Sequence, residues 1–215
     1  MNNQLNYKNF AIAATITAVA SLLLFYCSYA IGKNEFFLLL NNNYGTTADI
    51  FFTIFTYLGD GAIWAVLLFV FIKYSKQNIP LLIAAFVICT LLVQVCKYVI
   101  IPDAFRPIKA IAATHLIHLV KGMEPHETAS FPSGHTSAAF SFFLIGCLLI
   151  NKKWIIHVGF VYAILVGYSR VYLAQHFPFD VAAGMLVGII TVGLSILIQL
   201  WLNKRKLANS SSVVK

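Results

Sequence analysis

Long apolar runs separated by short polar tips dominate the chain. Six of them are near the roughly 20 residues that a helix needs to cross a hydrocarbon core. They predict membrane-spanning helices over residues 10–31, 50–72, 80–101, 133–150, 154–172 and 178–202. The one long connection, 102–132, joins the third run to the fourth. Within it Ile108, Ile111, Ala112, Leu116, Leu119 and Val120 recur at a spacing that predicts an amphipathic interfacial helix over 108–120. The expected fold is therefore all-α: a polytopic membrane protein with six transmembrane helices and an interfacial helix between the third and fourth. One domain is expected over 1–203, followed by a polar cytoplasmic tail over 204–215. The first run exceeds a signal-peptide core and lacks a strongly basic start, so it is expected to be a retained helix.

Composition agrees with that pattern. Hydrophobic residues make up 60% of the chain, charged residues 10%, and the mean hydropathy is +0.83. A soluble domain is about 45–50% apolar and about 25% charged. These values exclude a disordered chain, a nucleic-acid-binding protein and a secreted disulfide scaffold. Cys27, Cys89, Cys96 and Cys147 all lie in apolar runs without a C-x-x-C spacing, so no disulfide is expected.

The net charge of +8 informs less than its placement. With six spans both termini share one side. The tips on that side carry Lys8, Lys73, Lys76, Lys152, Lys153, Lys204, Arg205, Lys206 and Lys215 and no acid. Glu35, Asp49, Asp60, Asp103, Glu124, Glu127 and Asp180 all fall in the opposite half. Basic loops face the cytoplasm, so the termini are expected there and the 102–132 loop outside.

Polar residues at the span ends then converge. Lys97 and Arg106 follow the third run, Ser133, Gly134 and His135 open the fourth, Arg170 closes the fifth, and His176 and Asp180 flank the start of the sixth. Alternating span direction puts all of them at the outer interface. Lys97, Arg106 and Arg170 supply three cations suited to phosphate oxygens. Ser133 and Gly134 stand at a helix start, where unpaired N–H groups and the helix dipole favour an anion. Asp180, four residues after His176, is within one helical turn of it. Its carboxylate would orient one ring nitrogen and leave the other as nucleophile. His135 is then the candidate general acid for the leaving oxygen.

These residues resemble the type 2 phosphatidic acid phosphatase family, whose active site is related to that of vanadium haloperoxidases. The P-S-G-H motif stands as Pro132-Ser133-Gly134-His135. The S-R-x5-H-x3-D motif is matched by Ser169, Arg170, His176 and Asp180. The K-x6-R-P motif has its counterpart in Lys97 and Arg106-Pro107, with eight residues between Lys97 and Arg106. A bulge or turn near Pro102 is expected to absorb the extra length. The resemblance implies metal-independent hydrolysis without a cofactor, through a phosphohistidine on His176. His135 would protonate the leaving lipid, and Lys97, Arg106, Ser133, Gly134 and Arg170 would hold the phosphoryl oxygens.

The function expected is a lipid phosphate phosphatase of a bacterial inner membrane, its active site on the outer face. Undecaprenyl diphosphate, phosphatidylglycerol phosphate, phosphatidic acid and lipid A phosphates are all candidate substrates, the first two classes ahead of lipid A. The partners expected are that lipid and the bilayer, with no nucleic acid and no obligate protein partner. Phosphoryl transfer between lipids and non-catalytic phospholipid or phosphate transport are the alternatives. An intramembrane serine protease using Ser133 lacks a G-x-S-x-G-like context. His115, His118 and His126 are expected to be ordinary interfacial residues, because no close carboxylate or Cys completes a metal site. Asp60, an acid within the second run, is expected to form a salt bridge with Lys97 or Arg106.

Overall fold

The computed structural model describes residues 5–212, and in these the chain is all-helical. Helix α1 covers Tyr7–Ala30, α2 Lys33–Leu40, α3 Thr46–Tyr57, α4 Ala62–Tyr74 and α5 Ile79–Val95. A one-turn helix, α6, covers Pro107–Ala110; α7 covers Gly134–Leu149, α8 Trp154–Tyr172 and α9 Pro178–Ser212. By length and composition four of the described helical stretches suit a membrane span: Tyr7–Ala30, Lys76–Ile100, Trp154–Tyr172 and Pro178–Lys206. Helices α3 and α4 together suit a fifth, bent by 55° at a short break. Helix α7 is apolar but has only 16 residues.

Helix α7 forms the centre. Thr136, Ser137, Ala139, Phe140, Leu144 and Leu148 are buried on all sides of it. A helix surrounded in this way carries no polar face, and it can be short because neighbours rather than lipid cover its ends. Helix α9 packs against it at Gly184. A Cβ there would stand 2.8 Å from the Ser133 carbonyl oxygen and 2.9 Å from Thr136 Cβ. Only a residue without a side chain lets the two backbones approach so closely.

Buried polar groups tie the helices together, as an apolar surrounding requires. The Ser21 hydroxyl of α1 donates to the Ala182 carbonyl of α9 at 2.8 Å. Gln199 of α9 accepts the Leu81 N–H at 3.0 Å and donates to Gln77 O at 3.1 Å. At the α3–α4 break the Leu58 carbonyl accepts the Tyr162 hydroxyl at 2.7 Å.

Three features differ from, or add to, what the apolar runs predict. The segment 108–120 holds α6 and a 3-10 turn at Thr114–Leu116 in place of one continuous helix. Ile111, Ile117 and Val120 are buried while Leu116 and Leu119 are exposed, so the apolar spacing reflects separate anchoring points. The segment is further pinned where Arg106 N–H bonds Glu127 O at 2.8 Å and Ser130 N–H bonds Ala104 O at 3.0 Å. Second, α2 is a short helix between the first and second apolar runs, with Phe36 and Phe37 buried. Third, α9 continues through residues 204–212, which had been assigned to the tail; residues 213–215 of that tail lie outside the described residues.

Candidate active site

The site lies where the ends of α5 and α8 meet the starts of α7 and α9. Ser133 caps α7: its backbone is extended (φ −71°, ψ 111°), and its hydroxyl oxygen accepts the Thr136 N–H at 3.4 Å. The same oxygen accepts the Thr136 hydroxyl at 2.8 Å, and Ser133 N–H donates to the Asp180 carbonyl at 3.0 Å. The Ser133 N–H and both acceptor positions of its hydroxyl are therefore used at the two helix starts, while none of these bonds takes the hydroxyl's own proton. The next N–H groups, of Gly134 and His135, have no intrahelical acceptor and are those that the start of α7 offers to an anion.

Asp180 lies in the first turn of α9 and is fully buried. Its Oδ2 accepts the Phe177 N–H at 3.0 Å, the reach-back of a capping box. The same oxygen accepts the Ser130 hydroxyl at 2.5 Å and stands 3.6 Å from His176 Nδ1. His176 thus precedes α9 instead of sharing a helix with Asp180. The turn that carries it is fixed by its own N–H and that of Gln175, both donating to the Arg170 carbonyl at 3.1 and 2.9 Å. His176 is 1% exposed. Burial, with Arg106, Arg170 and Lys97 nearby, holds the imidazole well below the usual histidine range, so the ring is neutral at neutral pH.

The three cations differ in what they leave free. Arg106 Nε donates to Thr128 O at 2.9 Å, and Nη1 donates to Gln175 O and Oε1, both at 3.0 Å. Nη2 donates to Ala129 O at 3.5 Å. Four of its five N–H groups are thereby engaged in closing the loop over the site. Arg170 donates from Nη1 to the Thr56 hydroxyl, and its Nε is buried without a partner among the described residues. The edge formed by Nε and Nη2 is the fork that grips phosphate in a bidentate manner. Lys97 lies in a π-helical turn, Cys96–Ile100, closed by Ile101 N–H on Cys96 O at 2.9 Å. A π turn adds a residue to a helix, and it falls where the first motif is longer than its family pattern. The turn sets Lys97 at the C-terminal end of α5, the end that meets the starts of α7 and α9.

His176 Nδ1, Arg170 Nε and Asp180 Oδ1 are all buried without a hydrogen-bond partner among the described residues. Orphaned buried polar atoms are rare in native folds and mark places where function sets the arrangement. Asp60 is not paired with Lys97 or Arg106 as expected. Its Oδ2 lies 3.8 Å from His135 Nε2, because the break between α3 and α4 carries it to the start of α7. The buried Ser169 hydroxyl donates to Val166 O at 2.7 Å, one turn back in α8. His118 Nε2 sits 3.0 Å from Asp49 Oδ1, and among the described residues no three His, Cys, Asp or Glu side chains converge as metal ligands.

Sequence reasoning missed Thr56, Ser130 and Gln175. Ser130 and Gln175 lie within three residues of a motif, and that adjacency was the available signal. Thr56 sits in an apolar run far from any motif and offered none.

From His135 a cleft opens between α4 and α5. A recess of about 200 Å³ reaches Gly134 and His135 and is bounded by Trp64, Phe86 and Gln94. Trp64 and Phe86 also line an apolar recess of about 250 Å³ with Leu68, Leu82 and Ile83.

A family profile described as the PAP2 superfamily matches residues 81–204, more than half of the chain. The chain belongs to the PAP2 superfamily. It is 37% identical over 163 residues to an undecaprenyl-diphosphatase of Sulfolobus acidocaldarius, covering 74% of each chain. The crystal structure of Aquifex aeolicus LpxE superposes with a TM-score of 0.67 at 35% identity, covering 75% of this chain and 93% of that one. A transmembrane PAP2-type phosphatidylglycerolphosphate phosphatase from Bacillus subtilis superposes at 0.61 and 21% identity, covering 87% and 96%. As the motifs indicated, this is a membrane protein of a hydrolase family that includes lipid phosphatases.

Proposed function

We propose that this PAP2 protein hydrolyses the terminal phosphate of a polyprenyl diphosphate, at the outer face of a bacterial inner membrane, through a phosphohistidine on His176. The observation that carries this reading is the buried His176–Asp180 pair, Nδ1 3.6 Å from Oδ2, in a site where the buried Arg170 Nε has no hydrogen-bond partner among the described residues. The choice of a diphosphate over a phosphoglycerolipid leans on likeness to the undecaprenyl-diphosphatase.

In the reaction, His176 Nε2 attacks phosphorus while the Asp180 carboxylate faces Nδ1 and favours the positive charge that develops on the ring. The bond from phosphorus to the leaving oxygen breaks, and that oxygen takes a proton from His135. Water then attacks the phosphohistidine, its proton returns to His135, and inorganic phosphate leaves with His176 restored. Lys97, Arg106, Arg170 and the Gly134 and His135 N–H groups carry the charge of the phosphoryl oxygens. Ser133 holds the start of α7 through the acceptor positions of its hydroxyl, and the hydroxyl proton donates to a phosphoryl oxygen. The α4–α5 cleft receives the leaving lipid, whose chain enters sideways from the bilayer.

This reading takes the α3–α4 pair and α7 as crossing the membrane with the four longer helices, giving six spans within a single domain over 1–203. The termini are then cytoplasmic by the charge of the tips.

Purified protein supplied with undecaprenyl diphosphate, phosphatidylglycerol phosphate, phosphatidic acid and lipid A, with EDTA present, tests it. Preferred phosphate release from the diphosphate, lost in His176→Ala, is expected. Preference for another lipid would remove the substrate assignment, and release from none would remove the phosphatase reading.

A further inference from the structure

The second apolar run breaks at the depth of the site, and the break delivers three residues to it. Thr56, at the end of α3, receives the hydrogen bond from Arg170. Gly59 is buried against α7: a Cβ there would stand 3.0 Å from the His135 carbonyl oxygen and 3.2 Å from its Cβ. The absence of a side chain at 59 therefore lets the break lie directly on His135. Asp60 follows, its Oδ1 accepting the Ala62 N–H at 2.8 Å at the start of α4. That bond aims the carboxylate, and Oδ2 comes 3.8 Å from His135 Nε2.

The charges around His135 make this placement matter. Arg170 faces it from α8, Lys97 from the end of α5 and Arg106 from the loop, with His176 opposite. Asp60 is the one carboxylate among the described groups that acts on it. His135 becomes positively charged when it takes the proton from water, and an adjacent carboxylate favours that charged form and aims the ring. The His135 and Asp60 side chains remain 30% and 47% exposed, so a substrate in the cleft can reach the ring.

We propose that Asp60 is a positioning residue of the phosphatase reaction: it orients His135 and keeps on it the proton that the leaving oxygen takes. The inference rests on the phosphatase reading above. Asp60 stays a carboxylate throughout, and the proton moves only from His135 to the leaving oxygen and from water back to His135. The broken helix is then a part of the active site that the family motifs do not contain.

The test uses two substrates that share the His176 step and differ in the leaving group. Dodecyl phosphate expels an alkoxide, which needs a proton; 4-nitrophenyl phosphate expels a phenolate, which does not. Asp60→Asn removes the charge, and Asp60→Ser removes it while keeping an oxygen to cap Ala62, so at least one variant preserves the break. Both are expected to lower kcat on dodecyl phosphate about 10- to 100-fold, within the range of general acid catalysis, while 4-nitrophenyl phosphate changes less than about twofold. Asp60→Glu is expected to restore much of the loss. Combining Asp60→Asn with His135→Ala should be no worse than His135→Ala alone. An equal loss on both substrates would assign Asp60 a structural role and overturn the inference, as would no loss on either. Both of those outcomes leave the phosphatase reading standing while wild-type protein turns over and His176→Ala does not. A wild-type protein that cleaves neither of these substrates nor any of the four lipids above would remove the reading and this inference together.

Discussion

His176 Nδ1 stands 3.6 Å from Asp180 Oδ2, although the two residues do not share a helix. The carboxylate is placed by its capping of Phe177 and its bond from Ser130. At 3.6 Å the pair is longer than a hydrogen bond. Such bonds are often loose before substrate arrives and tighten as charge develops. His176 is thus oriented by a helix start, and under the proposed mechanism the rigidity of that start decides how well its ring is aimed.

Replacing His176 by Ala should lower turnover by roughly 10⁴-fold or more, as removal of a nucleophile does in other covalent enzymes. Rapid quenching of wild-type protein with ³²P-labelled substrate should trap an acid-labile, base-stable phosphoprotein, the signature of phosphohistidine. Substantial turnover in a well-folded His176→Ala protein would move the nucleophile elsewhere.

The buried, cation-ringed His176 resists protonation, which fixes the sign of two pH effects. The nucleophile stays neutral below the ordinary histidine value near 6.5. Phosphoprotein, trapped by quenching into base, should therefore still form at reaction pH values where a free imidazole would be protonated. Stability behaves oppositely. Below about pH 6.5 the unfolded chain binds a proton at this histidine that the folded chain refuses, so the folded state is disfavoured as pH falls. Thermal unfolding in detergent should show His176→Ala losing less stability between pH 7 and 5 than wild type. An equal loss in both would mean that His176 titrates normally.

Arg170 should not tolerate Lys. Its fork is aimed by Thr56, and lysine offers a point charge without the bidentate edge. Arg170→Lys is expected to lower kcat by about 10²-fold, a typical effect of losing one donor to transition-state charge. Thr56→Val, which frees Nη1 and loosens the aim, should show a smaller loss of the same kind. Steady-state kinetics on the preferred lipid decide between this and a simple binding role, in which KM alone would rise.

Much of this arrangement was legible in the sequence, and the exceptions share a cause. Motif residues are close in sequence to what they do, so His135, Arg170, His176 and Asp180 were readable from spacing and from alternation of span direction. Lys97 was readable despite its lengthened motif, because a π turn takes up length without moving the helix end. Thr56 and Asp60 act across the bundle on residues more than 70 positions away, a relation that no spacing encodes. The interfacial helix failed for a different reason. The apolar spacing over 108–120 mixes buried Ile111 and Val120 with exposed Leu116 and Leu119, so it marks no single helix face.

The proposed mechanism assigns phosphoryl charge to arginine, lysine and backbone N–H groups, so chelators should have little effect. Activity in excess EDTA is expected to stay within about twofold of the untreated level. A loss restored by a single divalent cation would require a metal at the phosphate, and equilibrium dialysis would then locate its stoichiometry.

The closest backbone approach to Ser133 tests how tightly the fold holds the site. Gly184 of α9 leaves no room for a side chain against Ser133 and Thr136, the two residues that start α7. Valine there must push α9 away from α7, which overpacking data put at about 1–3 kcal/mol. The displacement would also separate Ser133 N–H from the Asp180 carbonyl, the bond that couples the start of α7, which carries His135, to the start of α9, which follows His176. Gly184→Val should therefore lower both the unfolding temperature and kcat. Gly193 lies on the same helix with open space around it. Gly193→Val changes residue type in the same way without a clash, so it should leave kcat near the wild-type value. Differential scanning fluorimetry paired with turnover on the same preparations separates the two effects. If Gly184→Val and Gly193→Val behave alike, the close α7–α9 contact does not hold the site.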